Sequence, residues 1–297
     1  MAEKFQCGYV NIIGRPNVGK STLLNSLVGQ KLSITSKRPQ TTRWQLLGIK
    51  TTAEFQLIFV DTPGLQNTHR TSINRHMQRE IMDSLSYVDV VIFVVEALVW
   101  TDVEDKILEI VGNKSSPVIL VINKIDKLKN KEKLLPFIED VSGKYQFREI
   151  IPASAIKGDN VNLIEKELVP LLPYAEPAFP EEQLTDRNER FFAAEFIREK
   201  LTRILGAELP YRISVTIDDF SDQGQVLHIT ASIWTETENQ KKIVIGEKGK
   251  NLKLVGEQSR KEMERMFGRK VYLKTWTRVR KKWSADEKAL KQFGYDG

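Results

Sequence analysis

Eight residues near the N-terminus, Gly14 to Ser21, read GRPNVGKS and follow the apolar run Tyr9–Ile13. A strand, a loop and a helix start are the setting in which this pattern binds phosphate. Gly14 and Gly19 let the backbone through Arg15, Pro16, Asn17 and Val18 curl, so that successive N–H groups converge on phosphate oxygens. The helix expected from Lys20 turns its positive N-terminal end to the same point, and Lys20 adds a full charge. Ser21 offers a hydroxyl suited to Mg²⁺, and Thr22 completes the binding stretch.

Three later clusters each follow an apolar run. Asp61, Thr62, Pro63 and Gly64 (DTPG) come after FQLIFV, which puts Asp61 at a strand end where its carboxylate can hold Mg²⁺ through the ion's water shell. Gly64 lets its N–H approach a terminal phosphate without a side chain in the way. Alone, this four-residue signal is equally a plain turn. Asn123, Lys124 and Asp126 belong to NKID after PVILVI. The Asp126 carboxylate can accept from the N1–H and exocyclic amine of guanine, a donor pair that adenine lacks, so the site discriminates between the bases. Lys124 would lay its stem along the base, and Asn123 would tie the loops together. Ser154 and Ala155 open SAIKG, where the Ala155 N–H could reach the guanine carbonyl.

Those clusters need a rigid scaffold. Short β-branched runs at Tyr9–Ile13, Leu46–Thr52, Phe55–Asp61, Val88–Val95, Val118–Asn123 and Arg148–Pro152 alternate with amphipathic segments at Lys20–Val28, Ile73–Leu85, Asp102–Val111, Lys131–Lys144 and Val161–Leu172. The runs are apolar on both faces, which predicts an α/β domain with a mainly parallel, helix-covered sheet. Pro173, Pro177 and Pro180 break regular structure, so 1–173 reads as one domain and 174–188 as a linker. Beyond it, helix 189–205, strands 211–220 and 226–235 joined at Ser221–Gly224, helix 252–266 and strand 270–279 predict an α+β domain over 189–284, with a tail at 285–297.

The net charge of +6 is unevenly held: Lys241–Trp283 carries +11 and the rest −5. A basic segment of this kind points to a polyanion. Inside it, Gly246, Glu247, Lys248 and Gly249 form a GxxG loop, and Lys250 and Lys253 open the helix that follows. Such a loop clamps single-stranded RNA, with phosphate neutralisation supplying most of the affinity. Trp276 and Trp283 are interleaved with Lys274, Arg278, Arg280, Lys281 and Lys282, which suits base stacking. A packed role is expected for Trp276 within its strand, and the position of Trp283 stays open. A lone Cys7 and three scattered histidines fit a reducing cytosol and assign no metal site. No leader peptide or 20-residue apolar span is visible, so a soluble chain is expected, with peripheral contact to anionic lipid through the basic run.

Taken in order, GRPNVGKS, TTR at Thr41–Arg43, DTPG, NKID and SAIKG resemble the five motifs of translation-factor-class GTPases. The resemblance implies that Thr42 joins Ser21 and Asp61 around Mg²⁺. Leu65 stands where Ras-type enzymes carry a water-orienting Gln, so no catalytic residue is assigned, and Gln66 is one position out of register. Asn17 matches the loop Asn that in some relatives holds K⁺. The second domain resembles a type II KH domain. With Gln40–Arg43, RFFAAEFIREKL at Arg190–Leu201 and LKQFGY at Leu290–Tyr295, nearly the whole chain resembles the bacterial Era GTPase family. That resemblance implies GTP hydrolysis, binding of the 3′ end of 16S rRNA, maturation of the 30S subunit, a monomeric cytoplasmic chain and some inner-membrane association. An RNA-binding GTP sensor with little turnover is the alternative.

Overall fold

Residues 5–36, 42–64, 82–206 and 209–293 are described by the computed structural model. They fall into two compact units that meet in sequence between Asp186 and Arg187. In the first, β1 (Gln6–Ile13), β2 (Leu46–Thr51), β3 (Phe55–Asp61), β4 (Val90–Glu96), β5 (Val118–Asn123) and β6 (Glu149–Pro152) form one sheet. Its order is β2-β3-β1-β4-β5-β6, parallel throughout except for antiparallel β2. Every residue of β3 and β5 is buried, as the absence of polar alternation required. The chain leaves β1 for β3 on one side and β4 on the other, so a crevice opens at the C-terminal end of β1.

The helices of this unit are α1 (Lys20–Val28), α2 (Asp102–Gly112), α3 (Leu134–Ser142) and α4 (Val161–Leu168). α1 buries Leu23, Leu24 and Leu27, each contributing about 1.5–3 kcal/mol. α2 begins at a capping box in which the Thr101 side chain and Glu104 satisfy each other's backbone N–H groups. The helix expected from Lys131 starts at Leu134 after a single 3₁₀ turn. Pro136 has no N–H to give an interior turn and so belongs in the first one. Of the helix expected at Ile73–Leu85, residues 82–84 are helical and 73–81 lie outside the described residues.

The segment expected as a linker is bonded to the sheet of this unit. Cys7 N–H donates to the Pro173 carbonyl, Ala175 N–H to Phe5, and Ile49 N–H to Leu184. Buried Gln56 acts as a peg: its Oε1 accepts from the N–H groups of Ala178 (2.8 Å) and Phe179 (3.0 Å), and its Nε2 donates to the Phe179 carbonyl (2.8 Å). The prolines prevent a strand without preventing these scattered bonds, so the segment follows the sheet as far as Asp186, whose carboxylate accepts from Leu47 N–H.

In the second unit α5 (Glu189–Ile204) precedes β7 (Ser214–Asp222), β8 (Val226–Thr235), α6 (Glu238–Ile245), α7 (Lys250–Phe267), β9 (Lys270–Val279) and α8 (Glu287–Gln292). The sheet order is β7-β8-β9, with β7–β8 antiparallel and β8–β9 parallel. Residues 209–212 form a 3₁₀ turn where the strand was expected to begin. α6 is announced by a second capping box, Thr237 with Gln240. The expected tail is part of the packed unit as far as Phe293. Ala289, Leu290 and Phe293 are buried, and Phe293 stands edge-on to Trp283 at 5.3 Å.

Of the two tryptophans of the basic run, Trp276 departs from the packed role expected of it, and the open question of Trp283 is answered by burial. Trp283 is fully buried and donates its Nε1–H to the Arg212 carbonyl, whereas Trp276 is 48% exposed. A strand residue on the solvent side of a one-sided sheet is exposed whatever its hydropathy.

Candidate functional site

The phosphate loop leaves β1 and enters α1, whose N-cap, Gly19, makes no side-chain capping bond. The first N–H groups of α1 therefore point outward without a side-chain acceptor. Gly19 has φ +107°, and a Cβ there would come within 2.2 Å of Asn123 Nδ2. Val18 is buried, Pro16 partly so, and Asn17 is exposed with φ +67°. Lys20 is buried, its ammonium donating to the carbonyls of Gly14 (3.0 Å) and Arg15 (3.2 Å). Burial lowers the Lys20 pKa to about 8, a drop opposed by nearby Asp61.

Asp61 ends β3 fully buried. Its Oδ2 accepts from Ser21 Oγ (2.9 Å) and Ser33 Oγ (2.7 Å), and Ser21 Oγ shares a 2.7 Å hydrogen bond with Thr42 Oγ1. Burial pushes the Asp61 carboxyl up against the pull of these hydroxyls and of Lys20. Asp61 Oδ1 is buried with no hydrogen-bond partner. Two hydroxyls and a carboxylate with an unused oxygen are a hard donor set of the kind Mg²⁺ takes beside substrate phosphates. Among the described residues no group of three or more His, Cys, Asp or Glu could hold a metal alone.

Thr62 donates to the Ile12 carbonyl (3.2 Å), fixing the start of the DTPG loop on β1. Pro63 is buried, and a Cβ on Gly64 would lie 2.7 Å from the Pro16 nitrogen, so only glycine fits where the two loops meet. Thr22 lies in the first turn of α1, and Arg43 is buried beside Thr42 in sequence. Gln40, Thr41, Leu65 and Gln66 lie outside the described residues.

At the end of β5, buried Asn123 donates Nδ2–H to the Val18 carbonyl (2.8 Å) and accepts from Ala155 N–H at Oδ1 (3.0 Å). It thus fastens the phosphate loop to the SAIKG loop. The Ala155 N–H, expected to reach the guanine carbonyl, makes this bond to Asn123 here. Ser154 Oγ donates to Asp126 Oδ1 (2.7 Å), leaving Asp126 Oδ2 on the other side of a partly exposed carboxylate. Lys124 sits at φ +67° with its ammonium 2.8 Å from Glu96.

Ser33, Glu96 and Glu104 are site residues that the motifs did not mark. Glu96 holds Lys124, and fully buried Glu104 pairs with Arg15 Nε at 2.6 Å. The Thr101–Glu104 spacing signals a helix start, but nothing in the sequence connects it with Arg15.

In the second unit Gly246 has φ +72° and Gly249 φ +80°, and Lys248 between them is also left-handed at +49°. A Cβ on Gly246 would meet Asn251, whose Nδ2 donates back to the Ile243 carbonyl (3.0 Å) and fixes the turn. Nothing lies within 4 Å of a Cβ on Gly249. α7 starts at Lys250 with no side-chain cap. Glu247, Lys248, Lys250 and Lys253 are thus brought to one loop and the first turn behind it.

Residues 9–124 match the 50S ribosome-binding GTPase family and residues 208–284 the KH domain family. The chain is 51% identical to the GTPase Era of Marinobacter nauticus over 97% of its own length and 95% of that protein's. It is 50% identical to the GTPase Era of Pseudomonas aeruginosa, covering 98% and 95%. A crystal structure of an Aquifex aeolicus Era variant bound to GDP·AlF₄⁻ is similar with a TM-score of 0.95 and 38% identity, covering 99% of this chain and 100% of that one. A crystal structure of Era with MgGDPNP and nucleotides 1506–1542 of 16S ribosomal RNA is similar to the same degree. With a phosphate-loop GTPase domain followed by a KH domain, and half its residues shared with curated relatives along nearly the full length, the chain belongs to the Era family of GTP hydrolases.

Proposed function

We propose that this chain hydrolyses GTP at the β1–α1 loop and, through the GxxG loop and α7, binds the 3′ end of 16S rRNA during maturation of the 30S subunit. The observation that carries the nucleotide half is the unpartnered Asp61 Oδ1 beside the Ser21 and Thr42 hydroxyls, at the foot of an uncapped helix. Ser21, Thr42 and Asp61, the last through water, would hold Mg²⁺, which neutralises charge on the β- and γ-phosphates. Residues 14–22 would cradle the phosphates, Lys20 would meet the terminal ones, Gly64 would turn its N–H to the γ-phosphate, and Asp126 would select guanine. Asn17 would hold K⁺, supplying charge that other enzymes take from an arginine. Hydrolysis would be in-line attack by water on the γ-phosphate, promoted by positioning and charge neutralisation, with no catalytic residue assigned.

The RNA half is supported by the left-handed GxxG loop, the lysines at the start of α7 and the KH match. The similar Era structure that contains 16S rRNA supports the choice of RNA. Among the described residues no helix is long and apolar enough to cross a membrane. A monomeric cytoplasmic chain with peripheral inner-membrane contact belongs to the same proposal.

Two variants test it. Asp126→Asn is expected to lower GTP affinity at least about tenfold while favouring xanthosine triphosphate; an unchanged preference would sink the guanine assignment. Gly249→Asp has room for its side chain, and Asp tolerates the left-handed φ of +80° at a cost of about 1 kcal/mol, so the variant should fold yet lose crosslinks to a 16S rRNA 3′ fragment. Equal crosslink yield from wild type and variant would remove the GxxG loop from the RNA site. Equal hydrolysis rates in K⁺ and Na⁺ would do the same for K⁺ at Asn17.

A further inference from the structure

The open face of the KH sheet carries a second pattern that neither the nucleotide site nor the GxxG loop uses. Along β9 the outward residues are Lys270, Tyr272, Lys274, Trp276 and Arg278, all exposed, while Val271 between them is buried. Tyr272 and Trp276 are 56% and 48% exposed, unusual for side chains of that size. Strand register sets His228 of β8 against Tyr272 and Thr230 against Lys274. The His228 and Tyr272 rings lie 5.1 Å apart, tilted by 38°, and the Lys274 ammonium lies 4.8 Å from the centre of the Trp276 ring. At about 3.3 Å per residue, Tyr272 and Trp276 stand about 13 Å apart on one face, with a cation between them.

From this geometry we infer that the open sheet face is a second platform for single-stranded RNA, on which bases stack against Tyr272 and Trp276 while Lys270 and Lys274 meet the backbone. The chemistry favours this occupant. Each aromatic ring offers a flat π-face to an unpaired base, and the interleaved cations supply charge for backbone phosphates, a combination that binds single strands without reading sequence. A protein partner would have to bring both a run of carboxylates and flat rings, whereas a single strand carries a phosphate and a base in every nucleotide. The acidic β7 side limits the platform: Asp218 faces Arg278 at 3.7 Å and accepts from Ser232 Oγ at 2.6 Å, confining the positive surface to the Lys270–Trp276 stretch. At the far end Trp234 packs at a tilt against Phe293 at 5.4 Å, so the rings left exposed are Tyr272 and Trp276, each with one contact already made, to His228 and to Lys274.

The inference shares with the proposed function the reading of this unit as an RNA binder, but it concerns a different surface and fails separately. The test uses the full chain and synthetic oligonucleotides. A hexamer fits the GxxG groove alone, whereas a 30-mer of the same composition can also reach the sheet. Tyr272→Ala/Trp276→Ala is expected to weaken the 30-mer about tenfold or more, on the scale of base–aromatic stacking, and to leave the hexamer unchanged. Gly249→Asp should weaken both. Trp276→Phe, which keeps a ring, should restore most of the 30-mer affinity, and photo-crosslinks should map to Tyr272 and Trp276. Equal 30-mer affinity in the double variant and wild type would overturn the platform. So would an equal loss for both lengths, or a loss of binding to phosphatidylglycerol vesicles in place of RNA. Should the double variant misfold, Lys274→Glu provides the same length-dependent comparison with the rings intact.

Discussion

Asn123 is the point at which a deep test bears on the whole nucleotide site. Its amide makes two bonds across loops more than 30 residues distant, to the Val18 carbonyl at 2.8 Å and from the Ala155 N–H at 3.0 Å. Asn123→Ala strands both backbone groups in the interior, a loss of about 3 kcal/mol in all at roughly 1–2 kcal/mol each. Gly19→Ala acts on the same two bonds from the other side. Its Cβ would lie 2.2 Å from Asn123 Nδ2, so the amide must move and both bonds go. The φ of +107° adds about 2 kcal/mol of backbone strain, making about 5 kcal/mol in total. In an Asn123→Ala background the obstructing amide is absent and only the strain remains. The double variant should therefore be about as unstable as Gly19→Ala alone, with a coupling energy of about 3 kcal/mol. Hydrogen exchange of the β4 and β5 amides in nucleotide-free protein reports this unit by itself. Additive losses, within about 0.5 kcal/mol of a total near 8 kcal/mol, would refute the shared-amide argument.

Asp61→Asn should abolish the Mg²⁺-dependent gain in GTP affinity, read by titrating a fluorescent GTP analogue with and without EDTA, and should not destabilise the nucleotide-free chain, because it removes a buried charge. The Lys20 pKa near 8 gives a pH signature. Bound phosphate raises that pKa, so binding takes up a proton above pH 8, and the GTP association constant should be flat below pH 8 and fall up to about tenfold per unit above it. A flat profile to pH 10 by calorimetry would contradict it. Trp283→Ala should cost about 3–5 kcal/mol by denaturant unfolding, whereas Trp276→Ala should change stability by less than about 0.5 kcal/mol.

Most of the first unit was legible because its signals are local. GRPNVGKS, DTPG and NKID each follow an apolar run, and all three fall at the C-terminal ends of parallel strands, where the topology places any ligand crevice. The GxxG loop was legible for the same reason, since left-handed turns demand glycine. What escaped was non-local. Gln56 inside FQLIFV gave no sign that it would peg residues 178 and 179, more than 120 positions away. No motif marked Glu96 or Glu104, yet they hold Lys124 and Arg15. The two tryptophans show the limit most plainly, because hydropathy is the same for both and only their place in the fold separates them: Trp276 stands on the open face of β9, whereas Trp283 lies in a 3₁₀ turn packed against Phe293.

The sequence by itself determined which residues are chemically able to meet phosphate, Mg²⁺, guanine and RNA, and the alternation of strand and helix that carries them. Backbone propensity and glycine placement act over a few residues, so they can be read in order along the chain. The tertiary structure decided which of those groups remain free to act: it committed the Ala155 N–H to Asn123, left Asp61 Oδ1 unpartnered, buried Trp283 and exposed Trp276. Those outcomes depend on what the fold brings alongside from far away in the chain, and desolvation there fixes whether a polar group or a ring is used in packing or left for a ligand.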